Sequence, residues 1–252
     1  MTKSAIIKAF GTAAARYDGA AGLQRQVAQD LANRIAALPL ASNPRVLEIG
    51  CGTGFLGQAL APLLVGAQWV CTDIAEAMVA RARAALPAGT TFAVMDGEAP
   101  CFAPGTGFDL ICGNLAMQWF RHPASSLPRL AALLRPGGYL VFSTLGEQSF
   151  SEWRQAMQAH DLSPGTAAYP SASAWRDLLP GAGSSNVTET LIPVTHETAL
   201  AFLRELKQIG ASTPGPGYGQ LGAGQLRRVL RGIAEPFTAT YHVVFATYRA
   251  PT

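Results

Sequence analysis

The sequence predicts an α/β fold built on a mostly parallel, doubly wound sheet. Three observations carry that expectation. Short apolar runs alternate with amphipathic stretches of about ten residues between residues 45 and 145, the pattern of βαβ units. A glycine-rich turn, Gly50-Cys-Gly-Thr-Gly54, joins the first apolar run to the stretch that follows. The 252 residues, 49% hydrophobic, suffice for one full α/β domain with a modest insertion.

In chain order, residues 4–17 and 20–38 carry apolar residues at helical spacing, and Pro39 closes the second helix. A strand at Arg45–Ile49 runs into the glycine turn, followed by a helix at 55–64, a strand at Gln68–Thr72 and a helix at 75–86. The alternation continues with a strand near 90–95, another at Phe108–Gly113, a helix at 122–134 and a strand at Tyr139–Thr144. Beyond 145 it weakens. Residues 149–160, 172–179 and 197–209 read as helices, Thr188–Val194 as a strand, and Thr238–Tyr248 as a terminal strand of alternating polarity. Ala211–Gly224, rich in glycine with Pro214 and Pro216, is expected to be a mobile loop. The expected organisation is N-terminal helices over 1–40, an α/β core over 41–148, a helical cap over 149–235 and a closing strand over 236–252. A cap before the last strand would cover the C-terminal edge of the sheet, where open α/β sheets bind ligands.

Charge and composition narrow the function classes. Lys plus Arg is 19 against 16 Asp plus Glu, and no basic run exceeds two residues, which argues against nucleic acid as a partner. No stretch approaches the roughly 20 apolar residues that cross a bilayer, and the first residues lack an apolar leader, so the expected location is cytoplasmic. Cys51, Cys71, Cys101 and Cys112 form no C-x-x-C pair and are expected as small core residues, with no metal site.

The chemistry gathers at the strand ends. Gly50, Gly52 and Gly54 let the chain turn sharply and let a ligand approach the backbone. Glu48, two positions before the first glycine, would repel a pyrophosphate but welcome a cofactor bearing an ammonium and a sulfonium. That, with Gly57 displaced from the usual glycine spacing, disfavours a dinucleotide oxidoreductase. Asp73 ends the second strand, where an acid can accept from both hydroxyls of a ribose. It can equally cap the helix at 75–86. Asp96-Gly97 ends the third strand and can meet an adenine edge, or simply form a turn.

Together with Phe108-Asp-Leu-Ile111 and the Leu134-Arg-Pro-Gly-Gly138 hairpin, these residues resemble the class I, Rossmann-like methyltransferases. That resemblance implies S-adenosyl-L-methionine as cofactor, S-adenosyl-L-homocysteine as product, and a binding set of Tyr17, Glu48, Gly50, Cys51, Gly52, Asp73, Ile74, Met78, Asp96, Gly97, Glu98 and Asn114.

Three further stretches are similar to the malonyl-acyl-carrier-protein O-methyltransferases of biotin synthesis: Phe10–Asp18 with Leu23–Gln26, Gly113–Trp119, and Leu203–Ala211. The similarity runs over about residues 3–212. It implies methylation of the free malonyl carboxylate, carried on acyl-carrier protein or coenzyme A, to a methyl ester that starts pimeloyl synthesis. A carboxylate is ionised near neutral pH and needs no general base. His122, His160, His196 and His242, scattered through the chain, are expected to be structural or surface residues. Tyr17 and Trp119 are expected to position the substrate, Tyr17 closing over the cofactor unless it and Phe10 only pack the first helix. A cation is expected against the carboxylate, with Lys207, Arg204, Arg121 and Arg25 as candidates, each otherwise a solvated surface charge. Arg227, Arg228 and Arg231 share one helix that an acidic carrier protein can meet. The rival functions are methylation of another small acid or of a quinone-pathway intermediate, and cofactor binding without catalysis.

Overall fold

Apolar β-branched runs too short for helices become the interior of a sheet. The computed structural model describes residues 2–211 and 221–252, among which seven strands form one sheet. Two helical segments precede it: α1 (Lys3–Ala13) with the short α2 (Tyr17–Ala20), and then α3 (Gly22–Ala36). The sheet core alternates β1 (Arg45–Ile49), α4 (Phe55–Leu60), β2 (Gln68–Asp73), α5 (Glu76–Ala85), β3 (Thr91–Val94), β4 (Phe108–Gly113), α6 (Pro123–Ala131) and β5 (Leu134–Leu145). The remainder comprises α7 (Ser151–Gln158), α8 (Ala172–Asp177), β6 (Ser184–His196), α9 (Ala199–Gln208), α10 (Ala223–Arg231) and β7 (Phe237–Arg249).

The strand order is β3-β2-β1-β4-β5-β7-β6. Strands β1 to β5 are parallel, and β7 slots between β5 and β6 antiparallel to both. In β1 the period-two alternation sends Val46 into one hydrophobic layer and Leu47 and Ile49 into the other. All of β4 is buried, which explains an apolar run broken only by Asp109, whose Oδ2 accepts from the Arg45 N–H at 2.7 Å.

The elements depart from expectation in four places. The helix expected over 4–17 breaks, because the Arg16 N–H bonds Ala13 O three residues back and tightens the last turn, so Tyr17 starts a separate segment. The strand expected at Thr188–Val194 runs over 13 residues as the sheet edge, its polar side exposed. The segment 149–235, expected as a helical cap, therefore also supplies a strand to the sheet. Most of the glycine-rich stretch, residues 212–220, lies outside the described residues, while Ala223 and Gly224 already belong to α10.

Cys51, Cys71 and Cys112 are buried free thiols as expected, whereas Cys101 is exposed. Among the described residues, no helix is long and apolar enough to cross a membrane.

Candidate active site

A cleft of about 660 Å³ opens at the C-terminal edge of the sheet, beside the β1–β4 pair where the strand order reverses. Its floor is the glycine turn. Gly50 has φ +66°, and a Cβ there would sit 2.6 Å from the Ala116 Cβ, so only glycine allows the loops after β1 and β4 to touch. Gly52 has φ +54°, and an added Cβ would meet no atom within 4 Å, so its backbone borders open space. Its N–H donates to Asp73 Oδ2 at 3.0 Å, while the Ala75 N–H donates to Oδ1 at 2.8 Å. Asp73 thus ties the glycine turn to the loop after β2. It does not cap α5 with a side-chain bond; the cap position is Ala75. Burial pushes the Asp73 carboxyl up, and the backbone N–H donors oppose that shift.

At the far wall Asp96 Oδ1 accepts from Glu98 N–H at 3.0 Å and from Lys3 Nζ at 2.8 Å. Both contacts fall on one oxygen, which leaves Oδ2 for an incoming donor. Gly97 packs so closely under Ile49 and Phe120 that a side chain would clash with both. Asn114 is locked by donating to Gln24 O at 2.9 Å and accepting from Ser143 Oγ at 2.8 Å. Leu115, next in the chain, is held at φ +47°, a conformation that costs energy for a branched side chain. Its N–H donates to Ser143 Oγ at 2.9 Å.

Of the expected cofactor set, Tyr17, Gly50, Gly52, Asp73, Ile74, Met78, Asp96, Gly97 and Asn114 line this cleft. Glu48, Cys51 and Glu98 do not. Glu48 is buried beneath the glycine turn, where Cys71 Sγ donates to it at 3.5 Å and burial pushes its pKa up to about 8. Glu98 is a strut: it pairs with Lys3 and accepts from His122 N–H at 2.6 Å at the start of α6. Burial raises its pKa, but the bonds from Lys3, Arg121 N–H and His122 N–H outweigh that and hold it below the ordinary range. Lys3 and Phe120, which no motif pointed to, join the lining, as does Leu115 of the Gly113–Trp119 stretch.

A second cavity of about 490 Å³ adjoins the first, sharing Phe10, Tyr17, Leu115 and Trp119 with it. Phe10 and Trp119 meet edge to face at 5.2 Å. Its deeper wall comes from the other half of the chain: Leu145, Phe150, Tyr169, Leu206, Ile209 and Tyr241. Among the described residues lining it there is no lysine, arginine, histidine, aspartate or glutamate. Its titratable groups are three phenols, and all are pushed up, first by burial. Tyr17 also feels Asp73 and Asp18, and Tyr169 reaches about 12.

None of the four expected cations reaches either cavity. Arg25 is exposed and stacks over Phe55 at 4.3 Å. Arg121 is exposed and offers its backbone to Glu98. Arg204 and Lys207 lie on the exposed side of α9, because the helical period gives the inward positions to Phe202 and Leu206. The four histidines line neither cavity; His196 and His242 are buried against Glu205 at 3.5 Å and Glu189 at 2.9 Å.

The first cleft fits S-adenosyl-L-methionine. Each Asp73 oxygen keeps acceptor capacity for a ribose hydroxyl, and Asp96 Oδ2 is free for an adenine amino group. A fold of this strand order, with this glycine turn and these strand-end acids, is that of a class I methyltransferase, and a family model described as a methyltransferase domain matches residues 22–189. The chain is 39% identical over 247 residues to the malonyl-acyl-carrier-protein O-methyltransferase of Magnetococcus marinus, covering 96% of this chain and 90% of that protein. The chain belongs to the malonyl-acyl-carrier-protein O-methyltransferase family. It is also 44% identical over 248 residues, 98% of its length, to the biotin biosynthesis bifunctional protein BioCD of Bordetella avium, and spans 52% of that longer protein. Among solved structures, the putative methyltransferase bound to the Trm112 activator of Haloferax volcanii superposes with a TM-score of 0.64, at 19% identity and over 98% of both chains, a likeness of fold alone.

Proposed function

We propose that this protein transfers a methyl group from S-adenosyl-L-methionine to the free carboxylate of a malonyl thioester on acyl-carrier protein, at the start of pimeloyl and biotin synthesis. The observation that carries this reading is the second cavity. Among the described residues its lining is uncharged, mostly aromatic and aliphatic with Gln24 and Gln118 beside them; it meets the cofactor cleft at Tyr17 and Trp119 and includes no base. Its phenols stay protonated at neutral pH. An acceptor that must lose a proton, such as a phenol or a carbon acid, would find nothing there to take it. A carboxylate with a reference pKa near 4 arrives ionised.

When bound, S-adenosyl-L-methionine supplies an electrophilic methyl on a sulfonium. The chain's own part is positioning. Asp73 would take the ribose hydroxyls, Asp96 and the Gly97 backbone the adenine edge, and the bare backbone of Gly50 and Gly52 the amino-acid end. Tyr17, Phe10, Leu115 and Trp119 form the wall between cofactor and acceptor. Holding nucleophile, methyl and sulfur in line supplies on the order of 7–11 kcal/mol. The apolar walls exclude water from the carboxylate.

The exposed guanidinium groups of Arg227, Arg228 and Arg231 on α10 suit an acidic carrier protein. The apolar side of α10 lies by the N-terminal end of α9, whose C-terminal end borders the acceptor cavity. One helix length, roughly 15 Å at 1.5 Å per residue, separates them, a span for an extended pantetheine arm.

Transfer of labelled methyl from the cofactor tests the reading, with malonyl-acyl-carrier protein, malonyl-coenzyme A, acetyl-acyl-carrier protein and free malonate as acceptors. Label on malonyl thioesters, greatest on the carrier protein, is the expected result. Retained cofactor binding with no label on any malonyl thioester would overturn it.

A further inference from the structure

The acceptor cavity is bordered by a fully buried polar group that has no partner among the described residues. Tyr241 is 2% exposed, yet its hydroxyl makes no hydrogen bond with any described residue. Buried hydroxyls usually find a partner, and the side chain that carries this one belongs to a residue lining a cavity. Its placement follows from the antiparallel strand. The pairing of β7 with β5 stops at Val243 opposite Leu145, whereas Tyr241 pairs with Ile192 of β6. The first residues of β7 therefore overhang the end of β5, above the cavity.

The ring is fixed from several sides. Phe150 packs edge to face on it at 4.8 Å and is itself held at φ +61°. The Phe150 N–H donates to Thr240 O at 2.7 Å, and the His242 N–H donates to Ser149 Oγ at 3.1 Å. Two residues bordering this cavity, Leu115 and Phe150, thus adopt left-handed backbone conformations that ordinary side chains avoid. Such strain gathers where a ligand must be met.

We propose that the carboxylate of the acceptor is held by the Tyr241 hydroxyl, and that no lysine or arginine grips it. This assignment rests on the malonyl reading above. It replaces the expected cation with a neutral donor, and the chemistry favours the exchange. In the transfer a carboxylate oxygen forms a bond to the methyl carbon with its lone pair. The carbon–sulfur bond breaks with its electrons going to sulfur, and no proton moves. The anion becomes a neutral ester and the sulfonium a neutral thioether. A guanidinium on the carboxylate would be left buried without a counter-charge in the product, which opposes the step. A phenol loses far less, because it donates to an ester oxygen as well as to a carboxylate. Burial, with Glu205 and Tyr169 nearby, keeps the Tyr241 phenol protonated at neutral pH, where the carboxylate is ionised. An acetyl thioester lacks the acceptor and leaves the hydroxyl unpaired, so the same group selects malonyl.

The test is calorimetric binding of malonyl-pantetheine and acetyl-pantetheine to the wild type and Tyr241→Phe, each saturated with S-adenosyl-L-homocysteine. The substitution keeps the ring and removes a hydroxyl that bonds nothing in the fold, so melting without ligand should not fall. The wild type should prefer the malonyl ligand. Tyr241→Phe should lose about tenfold to a hundredfold in malonyl affinity, the range for one hydrogen bond to a charged group. Acetyl and S-adenosyl-L-homocysteine affinity should hold, and the bound carboxyl resonance of carbon-13-labelled malonyl should move. A wild type that prefers malonyl while Tyr241→Phe keeps the full preference overturns this assignment alone. A wild type without preference overturns it together with the malonyl reading.

Discussion

The two halves of the active site are built on opposite plans. The cofactor cleft hangs on the ends of four parallel strands, and its polar groups sit in turns a few residues long: Gly50 to Gly52 after β1, Asp73 and Ile74 after β2, Asp96 and Gly97 after β3, Asn114 after β4. The acceptor cavity draws its deeper wall from Leu145, Phe150, Tyr169, Leu206 and Tyr241, which nearly 100 residues of chain separate. The first half carries carboxylates that accept from the ligand. The second carries protonated phenols, of which Tyr241 is the proposed donor to the acceptor. A cationic cofactor and an anionic acceptor thus meet in line, each in the half that suits its charge, with Tyr17 on the boundary.

The largest effect should come from breaking the accepting half. Asp73→Ala removes the ribose acceptor and frees the Gly52 and Ala75 N–H groups. Affinity for S-adenosyl-L-homocysteine should fall by about a hundredfold or more, two charged hydrogen bonds being at stake. Titration calorimetry checks this, and a loss under fivefold would remove Asp73 from the site. Tyr17→Phe probes the boundary. Both cofactor affinity and kcat/KM for the malonyl thioester should drop, each by roughly tenfold. A change in only one of them assigns the hydroxyl to one half.

Glu48 sharpens the contrast from beneath the cleft, because the fold holds it neutral there. Its folded pKa of about 8 lies above the ordinary 4.5. Above pH 4.5 the unfolded chain releases the proton while the folded chain keeps it. The stability this group contributes is therefore full below pH 4.5 and declines as pH rises towards 8. Across that window the wild type should lose up to about 1.4 kcal/mol per pH unit from this group. Glu48→Gln should lack that slope and gain relative stability at pH 8 over pH 5. Urea unfolding at both pH values settles it, and parallel curves would sink the idea.

The two plans also explain what could be read from the sequence alone. The cofactor half is local: a strand end and its turn lie side by side in the chain, so Gly50, Gly52, Asp73 and Asp96 announced themselves by spacing. Three expected members missed the cleft for physical reasons. Glu48 and Cys51 turn under the loop rather than into it, and Glu98 braces Lys3 and α6. The substrate half is not local. Tyr241 looked like one more inward position of an alternating strand, and its only signal was a hydroxyl where the neighbouring inward positions are Ala239 and Val243. Arg204 and Lys207 sat in a family-like stretch, but the period of α9 turns them outward. The edge strand β6 was read short because its first residues, Ser184 to Asn186, are polar and exposed.

The smallest effect should lie outside both halves, on α10. Its arginines are exposed, so they would act on the carrier and not on the reacting carboxylate. Rim charges of this kind change encounter rates and salt dependence more than the bound chemistry. Reversing Arg227, Arg228 and Arg231 to glutamate should raise KM for malonyl-acyl-carrier protein by roughly threefold to tenfold at low salt. That penalty should shrink as salt shortens the reach of the charges to about 8–10 Å. With malonyl-pantetheine, which carries no protein, the constants should match the wild type. Equal penalties on both acceptors would mean that α10 shapes the cavity itself, and the division of labour between pocket and docking face would not hold.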